Sequence, residues 1–307
     1  CTLGWQSSSY FFWISATLRL NMEASPRRAL QGHIRVYQGD NLEVLGAFED
    51  ARFDLIYIDP PFNTGKVQSR SRLKTERDEQ GDRNGFKGAR YRTTLLGRTS
   101  YPDVFDDYLA FLEPRLREAY RLLKPNGSFF LHLDYREVHY AKVLLDSIFG
   151  RASFINEIIW AYDYGARATR RWSPKHDNIL WYAKNPRSYR FNYDEIDRIP
   201  YMAPSLVGEE KAKRGKTPTD TWWHTIVSPT GREKTGYPTQ KPLGILERIV
   251  RVHSQPEDEL LDFFAGSGSF GEAAARLGRH AVLVDKSAEA IRIMRERFSQ
   301  MECRFFP

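Results

Sequence analysis

The chain has 307 residues, enough for one large or two small domains with a real hydrophobic core. Its hydrophobic content of 41% and charged content of 28% are ordinary for a globular protein, and its formal net charge of +7 weakly favours a polyanionic partner. The two cysteines, Cys1 and Cys303, exclude a disulfide framework and a thiolate metal cluster, and no apolar run reaches membrane-spanning length.

The first residues differ from the rest of the chain. Residues 1–21 contain a short apolar patch with no basic residues ahead of it, which argues against a secretory signal. We expect residues 1–32 to form an N-terminal tail or extension. Residues 1–21 are interpreted either as a tail or non-native sequence, or as a strand or helix that covers the domain.

From residue 33 onward, short apolar runs alternate with helical patterns. Strands are predicted at 33–40, 53–61, 128–134, 154–162, 178–185, 259–266 and 280–285. Helices are predicted at 108–123, 136–150, 241–254, 269–278 and 288–298. This alternation predicts an α/β fold, with a parallel sheet and helices on both faces.

Two basic segments interrupt this alternation. Residues 66–100 are polar and contain ten Lys or Arg against four Asp or Glu. Residues 161–236 contain fourteen against nine, interleaved with aromatic residues that include Trp172, Trp222 and Trp223. Their net charges are therefore +6 and +5, so the rest of the chain sums to −4. Each segment alone is consistent with a solvated loop, but together they favour contact with nucleic acid.

A glycine-rich loop lies near the end of the chain. In "LLDFFAGSGSFG", residues 260–271, Gly266, Gly268 and Gly271 follow a predicted strand and precede a predicted helix, and Asp285 ends the next strand. Such a loop is either a tight turn or a nucleoside-cofactor site, in which the acid binds ribose hydroxyls. A nicotinamide dehydrogenase fits the loop but not its late position. A cofactor without a pyrophosphate, such as S-adenosylmethionine (AdoMet), fits better.

A second motif ends the strand predicted at 53–61. In "DLIYIDPPFNTG", residues 54–65, an apolar run leads to Asp59, two prolines and Phe62. A carboxylate at the carboxyl end of a strand faces the crevice where α/β sheets bind ligands. Prolines fix the backbone and lack N–H donors, so the motif predicts an acceptor-rich slot for an amino group on a flat ring. The alternative is a plain strand end with a Pro-Pro turn.

With these motifs in this order, the chain resembles the β group of DNA amino-methyltransferases. The matching segments are "DPPF" (59–62), "YPTQKP" (237–242) and "DFFAGSGS" (262–269), and the resemblance extends over roughly 33–300. It implies a circularly permuted, Rossmann-like AdoMet-dependent methyltransferase fold, a permutation that close chain termini make tolerable. The catalytic domain would comprise 33–160 and 237–307, including a DNA-contacting insert at 66–100, and residues 161–236 would be the target-recognition region.

The resemblance also implies residue roles. Asp59, Pro60, Pro61 and Phe62 would be catalytic: Asp59 and the Pro60 carbonyl accept hydrogen bonds from the target amine, and Phe62 stacks on the base. AdoMet would be held by the loop residues and by a strand-end acid that binds its ribose, a set comprising Asp40, Asp59, Thr239, Gln240, Lys241, Asp262, Phe263, Phe264, Ala265, Gly266, Ser267, Gly268, Asp285 and Lys286. DNA would be contacted by Arg70, Arg72, Arg90, Arg92, Arg170, Arg171 and Lys175.

The reaction implied is methylation of the exocyclic N6 of adenine in double-stranded DNA, with the base flipped out of the duplex. Methylation of cytosine C5 needs a cysteine nucleophile, typically after a proline, and neither Cys1 nor Cys303 follows one. The nearest alternative is N4-cytosine methylation, which in the family usually accompanies Ser at the position of Asp59. RNA or protein methylation, a nicotinamide-dependent dehydrogenase and a catalytically silent DNA-binding module are more distant alternatives.

The same resemblance extends to partners and location. A homodimer and a cognate restriction endonuclease are conceivable partners. The expected location is the cytoplasm, associated with the nucleoid and not with a membrane. No metal is expected.

Overall fold

A computed structural model describes residues 32–64, 66–77, 83–84, 90–103, 105, 107–228, 231 and 233–307. The predicted N-terminal tail therefore lies outside the described residues, apart from Gly32.

A mixed sheet of nine strands forms the body of the protein. In spatial order the strands are β12 (Cys303–Phe306), β1 (Ile34–Gln38), β11 (His280–Asp285), β10 (Glu259–Asp262), β2 (Phe53–Ile58), β6 (Leu123–Leu133), β8 (His176–Ala183), β7 (Phe154–Ala161) and β9 (Thr221–Trp223). The first six strands are parallel. Strand β8 runs antiparallel to both its neighbours.

The predicted α/β class and strand positions are confirmed, but the expectation of a purely parallel sheet is wrong at β8. The connection from β7 to β8, residues 162–175, contains no helix. Parallel neighbours are usually joined through a helical crossover, whereas a direct return favours antiparallel pairing. The order is also the permuted one: β10, which precedes the glycine loop, lies beside β2, which precedes Asp59.

Helices cover both faces of the sheet, as predicted. They are α1 (Asn41–Gly46), α2 (Tyr108–Leu122), α3 (Val138–Phe149), α4 (Glu209–Arg214), α5 (Leu243–His253), α6 (Ser269–Arg276) and α7 (Ala288–Arg297). Central strand β2 is buried along its whole length. Its Leu55 and Tyr57 pack in the cluster formed by α5, α6 and α7, while Ile56 and Ile58 pack in the cluster of α1, α2 and α3. This alternation is the two-residue period of a strand covered on both sides.

A separate antiparallel sheet occupies the first basic segment. It consists of β3 (Lys66–Arg77), β4 (Arg83–Asn84) and β5 (Arg90–Asp103), and β3 pairs with β5 along its whole length. We call this structure the arm. Sequence analysis predicted no strand at 66–100, whereas the described residues there form long paired strands, because backbone hydrogen bonds between two strands do not require an apolar sequence.

The second basic segment is not separate from the main sheet. Strands β8 and β9, both within residues 161–236, pair with β6 and β7. Outside the sheet lie the connection 162–175 and residues 184–220, which contain short helical turns and α4. A boundary at residue 161 therefore divides the sheet, and the assignment of the segment to target recognition stays a prediction.

The carboxyl ends of the parallel strands share one edge of the sheet. Strand β7 has the same direction as β6, because each is antiparallel to β8. Asp59, the arm, the glycine loop, Asp285 and the connection 162–175 all follow strands that end at this edge. Ligands of open α/β sheets bind at this edge. Within the described residues, the longest apolar helices fall short of what a membrane crossing requires.

Candidate active site

A cavity of about 310 Å³ opens at the carboxyl edge, within the size range of small-molecule sites. It brings together every residue predicted for catalysis or cofactor binding except Gly268. The lining set includes Asp40, Asp59, Pro60, Pro61, Phe62, Thr239, Gln240, Lys241, Asp262, Phe263, Phe264, Ala265, Gly266, Ser267, Asp285 and Lys286. Motifs that are far apart in sequence thus form one site.

Asp59 lies one residue beyond β2, and its two carboxylate oxygens differ. Oδ2 accepts a hydrogen bond from Lys241 Nζ at 2.5 Å. Oδ1 is buried and has no hydrogen-bond partner within the described part of the chain. The Lys241 ammonium also lies 4.8 Å from the centroid of the Phe62 ring. At the cavity wall, the end of β2 and the loop before α5 therefore bring together an aromatic ring, a cation and a carboxylate oxygen that has no partner among the described residues.

Hydrogen bonds from the arm and from α2 fix the rest of this motif. The Pro61 carbonyl accepts from the Tyr108 hydroxyl at 2.6 Å. Asn63 adopts a left-handed backbone with φ of 52°, and its N–H donates to Asp103 Oδ1 at 2.7 Å. The Thr64 hydroxyl donates to the other Asp103 oxygen at 2.6 Å. Burial, together with nearby carboxylates, raises the pKa of Tyr108, so it remains a donor.

A buried relay of polar groups lies behind the motif. The Tyr57 hydroxyl is 2.7 Å from His132 Nδ1, and His132 Nε2 is 3.2 Å from Asp177 Oδ2. Tyr162 donates to the other Asp177 oxygen at 3.0 Å. Burial, the largest single effect, would raise the pKa of Asp177, but the interactions with His132, Lys241 and Tyr162 together outweigh it and lower that pKa. Sequence reasoning missed this relay, although His132 in "FFLHLD" stands near the carboxyl end of the neighbouring strand.

The glycine loop is held by two strand-end acids. Asp262 accepts from the Phe264 N–H at 2.9 Å, and Asp285 accepts from the Gly266 N–H and the Ser287 N–H, both at 2.8 Å. Burial raises the pKa of Asp262, further raised by Asp59 and Asp285, and burial also raises the pKa of Asp285. Asp285 thus shapes the loop as well as lining the cavity.

Each of the three glycines in the loop is required for a different structural reason. Gly266 has φ of 50°, and a Cβ there would lie 3.0 Å from the Tyr237 ring. A Cβ at Gly268 would lie 2.6 Å from Phe298, so this residue packs behind the cavity wall against the end of α7. A Cβ at Gly271 would lie 2.6 Å from Leu283, which shows that α6 approaches β11 closely. Gly268 thus belongs to the loop without lining the cavity, and its predicted part in holding AdoMet stays a prediction.

A second network, also missed from sequence, supports the far wall. Asp40 caps α1 by accepting from the Leu42 N–H at 2.9 Å. Arg115 Nη2 lies 3.5 Å from Asp40, and its Nε donates to Asn41 Oδ1 at 2.7 Å. Asn41 in turn donates to the Phe263 carbonyl at 2.9 Å. These bonds hold α1, α2 and the loop after β10 together around the cavity.

The segment "YPTQKP" closes the cavity from the α5 side. Gln240 Oε1 accepts from the Thr235 N–H and hydroxyl at 2.9 and 2.8 Å, and its Nε2 donates to the Glu233 carbonyl at 2.8 Å. Thr239 has φ of 60°. Gln240 therefore uses its amide to shape the loop, whereas Lys241 directs its ammonium to Asp59.

The predicted DNA-binding residues lie outside the cavity. Arg90, Arg92, Arg170 and Arg171 are exposed. Lys175 is half-buried and donates to the carbonyls of Tyr164 and Ala166. Arg70 and Arg72 belong to β3, but their side chains are outside the described structure.

Comparison with known proteins identifies relatives of this chain. The sequence model of a family described as DNA methylase, N6_N4_Mtase, matches residues 53–296. The Type II methyltransferase M.HpaI of Haemophilus parainfluenzae is 30% identical over 86% of this chain and 73% of its own length. The DNA adenine methyltransferase YhdJ of Escherichia coli (strain K12) is 26% identical over 84% of this chain and 80% of its own.

Solved structures share the fold. The complex of M1.HpyAVI with SAM aligns over 86% of this chain and 98% of that chain, with a TM-score of 0.56 and 22% identity. The cytosine-N4-specific PvuII DNA methyltransferase aligns over 90% of both chains, with a TM-score of 0.57 and 15% identity. The family match spans most of this chain and includes Asp59, Lys241 and the glycine loop. This chain belongs to the DNA methylase family.

Proposed function

We propose that the protein transfers a methyl group from AdoMet to the N6 amine of adenine in double-stranded DNA, with the target base flipped into the cavity. The observation that carries this proposal is the Asp59 carboxylate. One of its oxygens is held by Lys241, whose ammonium lies 4.8 Å from the centroid of the Phe62 ring, and the other oxygen is buried and unpartnered among the described residues. An acceptor beside an aromatic face fits an amine on a flat ring.

The cavity residues fit AdoMet. Its carboxylates, among them Asp40, Asp59, Asp262 and Asp285, suit a ligand with a sulfonium and an ammonium group. The Gly266 turn lets the backbone approach a ligand closely, and Phe111 and Phe264, with ring centroids 6.0 Å apart, provide apolar surface for a nucleoside. When bound, AdoMet supplies an electrophilic methyl group. The SAM complex of M1.HpyAVI, which shares this fold, supports the assignment.

Asp59 and Pro60 make the target amine reactive. The lone pair of an exocyclic amine is delocalised into its ring, so the amine is a poor nucleophile. Hydrogen bonds to Asp59 Oδ1 and to the Pro60 carbonyl would favour a tetrahedral nitrogen. Its lone pair would form the new N–C bond as the sulfonium S–C bond breaks and the neutral thioether leaves. The nitrogen becomes acidic only as it gains the methyl group, and Asp59 is placed to accept the released proton.

The positions of the basic segments support DNA as the substrate. The arm follows β2, and the connection 162–175 with Arg170 and Arg171 follows β7, so both leave the sheet at the cavity edge. The Asp59 side chain is only 17% exposed. A base inside a duplex cannot reach a carboxylate at that depth, so the base must leave the stack.

Adenine is favoured over cytosine by the residue at position 59. In the resembling family, Ser is usual at this position in N4-cytosine enzymes, and this chain has Asp. The relative YhdJ is described as an adenine methyltransferase. The backbone fold does not distinguish adenine-specific from cytosine-specific enzymes, since the cytosine-N4-specific PvuII enzyme shares it. Long-read sequencing and nucleoside mass spectrometry of DNA from a methylation-deficient host expressing this protein will identify the modified base and its sequence context.

Asp59→Asn tests the role of the carboxylate. The amide keeps one acceptor oxygen, but the negative charge and the second acceptor, which matter mainly in the transition state, are lost, and single-turnover methylation is expected to fall by about 10²–10³-fold. Because the amide has nearly the same size, AdoMet affinity measured by calorimetry is expected to change little. A folded Asp59→Asn protein that methylates DNA at close to the wild-type rate would refute the assignment.

A further inference from the structure

Lys241 is one of three cations, with Arg115 and Lys286, in a cavity whose lining also includes five Asp side chains. It belongs to the loop before α5 and lies 182 residues from Asp59 in sequence. Its side chain is 9% exposed and contacts the two motif residues proposed to hold the base, Asp59 and Phe62. Sequence analysis placed Lys241 among the residues that would hold AdoMet, but these contacts point to the base.

A count of donors shows what Lys241 can offer to a ligand. An ammonium has three N–H donors. One is used by Asp59 Oδ2, and the only other acceptor within reach among the described residues is the Thr239 carbonyl at 3.5 Å, the outer limit of a hydrogen bond. At least one N–H therefore remains for the cavity. Asp59 Oδ1 is an unused acceptor beside it.

An unused acceptor next to an unused donor is complementary to an amine next to a ring nitrogen. Adenine and cytosine both carry this pair on their Watson–Crick edge. Thymine and guanine instead carry a carbonyl oxygen, which would face the Asp59 carboxylate and be repelled. The Phe62 ring, 4.8 Å from the ammonium, offers a stacking face for the base plane.

We propose that Lys241 is a specificity-determining residue for the target base, an inference that rests on the proposed function. By holding Asp59 Oδ2, it leaves Oδ1 to accept from the amine. Its remaining N–H donates to the ring nitrogen beside that amine. The pair Asp59–Lys241 thus recognises one edge of the base, because Lys241 adds a hydrogen bond at the ring nitrogen to those that Asp59 and Pro60 accept from the amine.

The test compares bases and proteins together. Once the methylated sequence is mapped, duplexes are made with adenine, 1-deazaadenine or 7-deazaadenine at the target position; 1-deazaadenine keeps the amine but lacks the adjacent ring nitrogen. The kcat/KM for methylation of each duplex is measured for wild type, Lys241→Met and Lys241→Arg. If the modified base is cytosine, 3-deazacytosine takes the place of 1-deazaadenine.

In wild type, loss of the ring nitrogen is expected to lower kcat/KM by roughly 10- to 100-fold, the effect of one hydrogen bond to a charged group. Lys241→Met is expected to be impaired on adenine by a similar factor, and to show little further loss on 1-deazaadenine. Lys241→Arg keeps an N–H donor and should retain part of the preference for adenine over 1-deazaadenine. The 7-deaza base, altered on the opposite edge, should behave like adenine with all three proteins.

Several results would overturn the inference. An equal loss on 1-deazaadenine in wild type and Lys241→Met would show that Lys241 does not contact the ring nitrogen. If Lys241→Met reduced AdoMet affinity tenfold or more, Lys241 would be a residue that binds AdoMet and not the base. If Lys241→Met does not fold, wild-type activity that is equal on adenine and 1-deazaadenine still refutes the inference. Failure of wild type to methylate unmodified DNA would instead refute the proposed function.

Discussion

Asp285 illustrates how one carboxylate can serve both the fold and a ligand. Its oxygens accept hydrogen bonds from the Gly266 and Ser287 N–H groups, which fixes the loop and the start of α7. Each oxygen retains a second lone pair, and the side chain lines the cavity. The residue therefore both shapes the loop and remains available for ribose hydroxyls.

Asp285→Ala is expected to weaken AdoMet binding at least tenfold, because charge-assisted hydrogen bonds of about 1.5–3 kcal/mol each are lost. It is also expected to lower the melting temperature, since the two loop N–H groups lose their acceptor. Asp285→Asn keeps one acceptor oxygen, so its AdoMet affinity and its melting temperature should lie between those of wild type and Asp285→Ala. Calorimetry and thermal unfolding measure the two effects, and an unchanged affinity in Asp285→Ala would show that the acid does not bind the ligand.

The residues that sequence predicts well are those at strand ends. Asp59 and Asp285 each follow an apolar run, and the parallel sheet brings such ends to one edge, so their proximity follows from the topology alone. The partner of Asp59 does not follow from it. Lys241 is brought to the carboxylate by the turn at Thr239 and the buried amide of Gln240, and neither contact leaves a periodic signal in the sequence.

At the scale of elements, α5 carries a buried histidine that should make folding pH-dependent. His253 packs against the rings of Phe130, Trp181 and Phe191, and burial lowers its pKa from 6.5 to about 3. The unfolded chain binds a proton below about pH 6.5 that the folded chain does not bind. Stability is therefore lost as pH falls from 6.5 towards 3.

At pH 5 this residue should cost about 2 kcal/mol of the free energy of unfolding, relative to pH 7.5. His253→Phe keeps a ring of similar shape and cannot titrate, so its stability should fall less over the same interval. Urea unfolding of both proteins at pH 7.5 and pH 5 provides the comparison. Equal losses in the two proteins would show that His253 does not contribute to the acid sensitivity.

The arm shows where prediction of elements fails. Alternation of apolar and polar residues marks a strand with one face on a core, but β3 and β5 pair with each other away from the main sheet. Their polar, basic composition resembles that of a loop, so composition alone predicted the wrong structure. By contrast, β2 and β6 were predicted well because both faces are buried and the apolar run is nearly continuous.

For the whole molecule, the charge distribution separates a binding edge from a weakly acidic body. The two basic segments carry net charges of +6 and +5, and the remainder carries −4. The first segment and residues 162–175 of the second follow strands that end at the cavity edge, so they place positive charge where a duplex must approach. Residues 184–220 follow β8, which ends at the opposite edge. An anionic polymer would therefore be attracted to the cavity edge in preference to the rest of the surface.

Replacing Arg70, Arg72, Arg90 and Arg92 with Gln should weaken binding to all DNA sequences alike. The salt dependence of log K should also flatten, by up to about 0.9 for each phosphate that is no longer neutralised. A matched control replaces four exposed arginines that lie outside the arm, Arg117, Arg292, Arg295 and Arg304, with Gln. Fluorescence anisotropy over a salt series measures both quantities. If the arm variant behaves like the control, the arm does not bind the phosphates.

The attachment of the arm has a consequence for enzyme engineering. Asp103, the last residue of β5, accepts hydrogen bonds from Asn63 and Thr64, which directly follow the Asp-Pro-Pro-Phe motif. The segments at the two ends of the arm are thus hydrogen-bonded to each other next to the end of β2. A donor arm from another protein can be exchanged for this one only if the splice points lie beyond these hydrogen bonds, so that Asp103 and the segment up to Thr64 are retained. An exchange that removed Asp103 or Thr64 would break these hydrogen bonds. It would then disturb the Asp-Pro-Pro-Phe motif as well as replace the arm.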